Sequence, residues 1–114
     1  MKYKIKPVSK PRMTRSDKWK KRDCVVRYWE FKDEVKKNNI ILKKSNSHII
    51  FTIPMPKSWS EKKKKENNQK PHEARPDVDN LCKAIMDAVL DEDCKIWDIR
   101  ITKLWGYDGF IEIK

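Results

Sequence analysis

Acidic residues are concentrated in one stretch of this basic chain. Residues 75–98, RPDVDNLCKAIMDAVLDEDCKIWD, hold seven of the 17 Asp and Glu residues. Asp77 and Asp79 stand two apart at an extended helix entry, so both carboxylates can face one ion. Asp93 precedes the next predicted strand and can return to the same place. Three carboxylates with a substrate phosphate are ligands that Mg²⁺ accepts, and such an ion activates water for phosphodiester hydrolysis.

The same aspartates have a simpler structural explanation. Aspartate at a helix start is a common cap, and Asp79, Lys83 and Asp87 at i, i+4 and i+8 form a common solvated face. On this interpretation Asp87 is a partner of Lys83 rather than a metal ligand. An EF-hand is excluded because Cys82 and Ala88 occupy the positions that need Gly and Glu. The chain has only two glycines and no Walker motif.

The distribution of charge indicates a polyanionic partner. The formal net charge is +11. Residues 1–76 carry 23 Lys and Arg against 8 Asp and Glu, and residues 77–114 carry 5 against 9. A basic body displaces counterions from nucleic-acid phosphates, although a membrane surface attracts the same charges and many basic proteins are simply soluble. We favour nucleic acid.

Length and cysteine usage bound the remaining possibilities. The 114 residues predict one domain, 1–114. Three cysteines without a CxxC pair indicate reduced thiols, and the two histidines are not spaced for zinc. The N-terminus does not read as a signal peptide, and the apolar runs are too short to span a bilayer. We therefore expect a cytoplasmic protein.

Hydrophobic periodicity predicts an α+β fold, a small mixed sheet with two helices in the order β-α-β-α-β-β. The predicted elements are a strand at 3–8, a helix at 24–38, a strand at 47–56, a helix at 79–90, a strand at 94–105, and a hairpin partner at 110–114. The second helix has the apolar stripe Leu81, Ala84, Ile85, Ala88 and Val89. We also expect Trp29, Trp97 and Trp105 in the core.

Two basic segments without a packing period, 9–23 and 57–76, are candidates for contacting phosphates. The alternative is that they are solvated loops, with Trp19 packed rather than stacked on a base. The candidate DNA-binding residues are Arg12, Arg15, Lys18, Trp19, Lys20, Lys62, Lys63, Lys64, Lys65 and Arg75.

RPDVDNLCKAIMDAV followed by DEDCKIWDIRITK resembles the RusA family of Holliday junction resolvases (crossover junction endodeoxyribonucleases), found in bacteria and often carried by prophages. The resemblance implies a homodimer that binds four-way DNA junctions and cuts them with Mg²⁺ in recombination and repair. It places metal ligands at Asp77, Asp79 and Asp93, with Asp91 as the alternative third ligand. It places the active-site lysine at Lys83.

Two functions of different class therefore follow from the sequence. The favoured one is a magnesium-dependent, structure-selective endodeoxyribonuclease with catalytic residues Asp77, Asp79, Lys83 and Asp93. The alternative is a non-catalytic basic nucleic-acid-binding module, in which the acidic residues only cap a helix.

Overall fold

The computed structural model describes residues 2–10, 23–89 and 95–114. Within these ranges the protein is α+β, with three helices and a four-stranded mixed sheet. In chain order the elements are β1 (Lys2–Tyr3), α1 (Asp23–Lys37), β2 (Ser47–Pro54), α2 (Glu61–Asn67), α3 (Val78–Val89), β3 (Ile99–Gly106) and β4 (Phe110–Ile113). The predicted class is confirmed, and the predicted order lacked α2.

The four strands of the described sheet lie in the order β1-β4-β2-β3. β2 and β3 are parallel, with a register that runs from Ser47 opposite Ile99 to Pro54 opposite Gly106. β4 is antiparallel to both β1 and β2. The chain between β2 and β3 must therefore cross back along the sheet, and α3 lies in this crossover.

The predicted hairpin between residues 94–105 and 110–114 is wrong, because both edges of β3 have other partners. β2 lies along one edge, and residues 69–72 pair with the other. Trp105 N–H donates to the Lys70 carbonyl at 3.0 Å, and His72 N–H donates to the Lys103 carbonyl at 3.1 Å. β4 pairs instead with the far edge of β2.

The first strand is also shorter than the predicted strand at 3–8. The Ile5 N–H donates back to the Tyr3 carbonyl at 2.9 Å, which turns the chain out of the sheet. Pro7 follows and offers no N–H to a ladder. Gly109, in the β3–β4 connection, lies against this segment, and a Cβ there would come within 2.7 Å of the Lys6 Cα. That connection can approach Lys6 only because residue 109 has no side chain.

The core lies between the sheet and the two longer helices. Leu81, Ala84, Ile85 and Ala88 are buried as predicted, and Val89 is half-buried. They pack with residues of α1 and with Ile49, Phe51 and Ile111 of the sheet. The apolar period of α3 therefore identified the helix and the face that it buries.

The tryptophan predictions were less successful. Trp29 is 43% exposed and Trp97 is 74% exposed, so neither belongs to the core. On α1 the buried aromatic residues are Tyr28 and Phe31. Trp97 lies outside because β3 starts at Ile99, two residues after it. Trp105 is half-buried and contacts other aromatic rings.

The basic stretch 57–76 contains α2, which the sequence did not predict. The Ser60 hydroxyl caps it by accepting from the Lys63 N–H at 3.2 Å. None of its residues is buried, so it has no apolar period to recognise. It is held beside β3 through Trp59, whose ring centroid lies 4.8 Å from that of Trp105.

A polar network joins α1, α3 and the segment 5–10. The Asp87 carboxylate accepts from the Tyr28 hydroxyl at 2.9 Å and pairs with the Lys10 ammonium at 2.6 Å. The expected Asp87–Lys83 pairing is therefore wrong. Burial alone would raise the pKa of Asp87, but hydrogen bonds from Lys10 and Tyr28 outweigh burial and leave the pKa below its ordinary value.

We expect Asp87→Asn to lower the free energy of unfolding by about 1 kcal/mol near pH ~7, a modest loss because both groups of the ion pair are partly exposed and screened. A carboxyl with a lowered folded-state pKa stabilises the fold above its unfolded pKa, and this contribution disappears as the pH falls through the folded pKa. The difference between wild type and variant should therefore shrink below pH ~4.

Urea unfolding of wild type and variant at pH ~7 and below pH ~4 measures this difference in the free energy of unfolding. Asp33→Asn, which changes an exposed carboxylate on α1, is the matched control and should have little effect. An equal loss for Asp87→Asn at both pH values would show that the charge of Asp87 does not stabilise the fold.

Candidate active site

The first two predicted metal ligands, Asp77 and Asp79, both lie at the start of α3. The Asp77 carbonyl accepts from the Leu81 N–H at 3.2 Å, so Asp77 is the residue from which the helix begins. Asp79 lies in the first turn. Both side chains are exposed. The Arg75–Pro76 peptide bond just before them is cis.

Neither carboxylate acts as a side-chain cap within the part of the chain that the structure describes. Ser60 shows what such a cap looks like, since its hydroxyl accepts a backbone N–H of α2. Asp77 and Asp79 accept no comparable hydrogen bond and form no ion pair with a described residue. Their charges still interact favourably with the positive end of the α3 dipole. The capping interpretation thus lacks the hydrogen bond from a carboxylate to a backbone N–H of α3. The carboxylate oxygens of Asp77 and Asp79 stay available to a ligand.

Asp77 opens into a cleft of about 900 Å³. One wall comes from the segment before and into α3, a second from α1, and a third from the segment after β1. The cleft residues that carry charge are Lys6, Arg27, Glu30, Glu34, Arg75 and Asp77. The three cations can hold a phosphate next to Asp77, with Glu30 and Glu34 balancing part of their charge.

Lys6 and Arg27 are the site residues that sequence reasoning missed. Arg27 lies on the polar side of α1, three residues before Glu30, and both line the cleft. The helix period separates a wet face from a buried one. The period does not show which part of the solvent-exposed face of α1 lines the cleft, so the sequence held no specific signal for Arg27.

The other predicted residues divide into three groups. Asp79 and Lys83 are exposed on α3, one turn apart, and neither lines the cleft. Lys62–Lys65 lie on α2, where the Lys63 ammonium sits 4.3 Å from the centre of the Trp59 ring. Asp93, its alternative Asp91, and the candidates Arg12, Arg15, Lys18, Trp19 and Lys20 lie outside the described residues.

The described residues fit part of a magnesium site. Two unengaged carboxylates supply the hard oxygen donors that Mg²⁺ prefers. Within residues 2–10, 23–89 and 95–114, no group of three or more His, Cys, Asp or Glu side chains could hold a metal ion. A third protein ligand would therefore have to come from elsewhere, and the predicted Asp93 lies outside these ranges.

Between the edge of β3 and the aspartates, the chain passes a buried histidine. The His72 ring packs against the Trp105 ring, with centroids 4.0 Å apart and the ring planes tilted by 44°. Burial first, and the neighbouring Lys103 ammonium second, lower the pKa of His72. The imidazole is therefore neutral near pH ~7 and serves as a packing group rather than a cation.

The comparisons with known proteins bear on the activity. Among the described residues, no helix is long and apolar enough to cross a membrane. No curated protein and no solved structure matches the chain. A protein-family comparison matches residues 3–114 to Endodeoxyribonuclease RusA. This match spans nearly the whole chain and favours an enzyme over the non-catalytic binding module. The chain therefore belongs to the RusA family of endodeoxyribonucleases, whose activity is the nucleolytic resolution of Holliday junctions.

Proposed function

We propose that this chain is a Mg²⁺-dependent endonuclease that resolves four-way DNA junctions by paired phosphodiester cuts. One observation carries the metal requirement: Asp77 and Asp79 are exposed, charged and unengaged with described residues beside a cleft that contains two arginines. Without a metal ion these carboxylates would repel the phosphate, whereas a bound Mg²⁺ turns them into ligands that hold it there.

In this proposal the side chains have separate roles. Arg27, Arg75 and Lys6 bind the phosphodiester by charge-assisted hydrogen bonds and hold it against the start of α3. Asp77 and Asp79, with Asp93, hold Mg²⁺. When bound, this ion supplies an activated water and stabilises the leaving oxygen.

Lys83 is the remaining catalytic residue of the proposal. It follows Asp79 by one helical turn on the exposed side of α3, so its ammonium is available to the scissile phosphate. A cation at that point stabilises the charge that develops on the phosphate oxygens in the transition state. Lys83 lies outside the buried apolar stripe of α3, so its side chain can contact the phosphate without disturbing the core.

We expect Asp77→Asn and Asp79→Asn each to reduce cleavage of a synthetic four-way junction by at least about a hundredfold, because each loses a charged metal ligand. Junction binding without metal should persist or tighten, since one repulsive charge toward phosphate is removed. Cleavage with Mg²⁺ or EDTA, alongside gel-shift titration, measures both quantities. Asp33→Asn is the control and should cut normally. An Asp79→Asn protein that cuts at the wild-type rate would show that the site is misassigned.

The working unit in this proposal is a homodimer. Resolution needs two cuts on symmetry-related strands, and the chain has one DxDN sequence. A twofold pair of subunits presents two equal sites to a substrate of matching symmetry.

Mixed dimers with one wild-type and one Asp79→Asn subunit test this arrangement on a junction in a supercoiled plasmid. They should mainly nick the plasmid, because only one site can cut, whereas linear product needs two intact subunits. Wild-type homodimers carried through the same subunit exchange are the control. Paired cuts made by a monomer within one binding event would contradict the dimer.

Helix α2 is proposed to follow the DNA backbone. Lys62–Lys65 are consecutive cations on a helix without buried residues, and three of them are exposed. Replacing all four with alanine preserves helix propensity while removing charge.

This replacement should reduce the slope of log affinity against log salt by up to about four units, with similar effects on junction and duplex. Fluorescence anisotropy at several salt concentrations measures the slope. Alanine at Lys36 and Lys37, at the end of α1, is the control for charge removal. A slope that stays at the wild-type value would mean that α2 is only solvated.

A further inference from the structure

Lys103 occupies an unusual position in β3. In the register of β2 and β3 it lies opposite Phe51, which is fully buried in the core. Side chains alternate along a strand, so Lys103 shares the helix-covered side of the sheet with Ile101. An ammonium on this side needs hydrogen-bond acceptors to offset the loss of water.

The acceptors are two carbonyls of the chain that leads to the aspartates. Lys103 Nζ donates to the Ala74 carbonyl at 2.5 Å and to the Pro76 carbonyl at 2.8 Å. Among the described residues, residues 73–76 make no backbone–backbone hydrogen bond. The nearest backbone hydrogen bonds on either side of residues 73–76 are those from the His72 N–H to the Lys103 carbonyl and from the Leu81 N–H to the Asp77 carbonyl. The Lys103 side chain therefore bridges the gap between the edge of β3 and the start of α3.

We propose that Lys103 is a positioning residue for Asp77 and Arg75. Its ammonium fixes the two carbonyls on either side of Arg75, and the second carbonyl belongs to the peptide that leads directly into Asp77. The directions in which the arginine and the carboxylate enter the cleft are thereby set by a strand of the sheet. This inference rests on the proposed metal-dependent function, and Lys103 touches neither metal nor phosphate in it.

A purely electrostatic role for Lys103 predicts the opposite effect on metal affinity. A cation near the ligands repels a metal ion, so removing its charge would tighten metal binding. A positioning role predicts weaker binding, because groups that orient metal ligands typically contribute ten- to hundredfold in affinity. The sign of the change therefore separates the two roles.

The test uses Lys103→Met, which keeps the stem and removes the donors, with Lys103→Gln as a second variant that retains one donor group. Lys70→Met is the matched control, because Lys70 lies on the same segment and its exposed side chain forms no hydrogen bond or ion pair with a described residue. Mn²⁺ is the probe, and its binding is measured by electron paramagnetic resonance. Exchange of the His72 and Leu81 amide hydrogens, which are hydrogen-bonded on either side of residues 73–76, reports the anchoring of the segment without metal.

We expect Lys103→Met to weaken Mn²⁺ binding by about tenfold and to speed exchange of the His72 and Leu81 amides, while Lys70→Met changes neither. Lys103→Gln should fall between wild type and Lys103→Met. In an Asp77→Asn background the effect of Lys103→Met on Mn²⁺ affinity should largely vanish, since the ligand that it positions is gone.

Unchanged exchange, or unchanged or tighter Mn²⁺ binding in Lys103→Met, would overturn the positioning role. Mn²⁺ binding that Asp77→Asn leaves intact would instead refute the proposed metal site, and the exchange data would still decide whether Lys103 anchors the segment.

Discussion

The parallel pairing of β2 with β3 is the constraint from which the rest of the fold follows. Parallel strands begin at the same end of a sheet, so the chain that leaves β2 at Pro54 must travel back before it enters β3 at Ile99. α2, the edge segment 69–72 and α3 all lie in this crossover. The segment just before α3 consequently pairs with the outer edge of β3, and this pairing holds the helix start that carries Asp77 and Asp79.

The exposure of the acidic pair suits the chemistry proposed for it. A buried pair of carboxylates would have to shed water and would resist ionisation. Asp77 and Asp79 stay in water at the start of α3, near the positive end of the helix dipole. Mg²⁺ itself retains several waters when it binds protein. The cations of the cleft come from three separate parts of the chain and lie beside Glu30, Glu34 and Asp77.

The sequence predicted what depends on local periodicity. The stripe of α3 and the placement of Asp77 and Asp79 at its start follow from spacing over a few residues. The hairpin failed because strand order depends on pairing between distant segments, and GYDG resembles a turn whether or not its flanking strands are neighbours. Lys103 did leave a signal: it continues the face of Ile99 and Ile101, where an apolar residue is expected. A lysine at such a position implies a hydrogen-bond acceptor, but the acceptors themselves, two carbonyls nearly thirty residues away, are visible only in three dimensions.

The location of the cleft limits how two copies could share one junction. The cleft lies on the side of the sheet that the helices cover, since its lining includes Ile53 of β2 and Phe31 of α1. The opposite face carries the half-buried Ile50, Leu104 and Phe110, which are an apparent surface for pairing. Pairing through that face would turn the two clefts away from each other, to opposite sides of the dimer. A twofold axis perpendicular to the sheet would instead keep both clefts on the same side. A dimer that makes paired cuts in one junction is therefore better served by contacts at the sheet edge or between helices than by the apolar face.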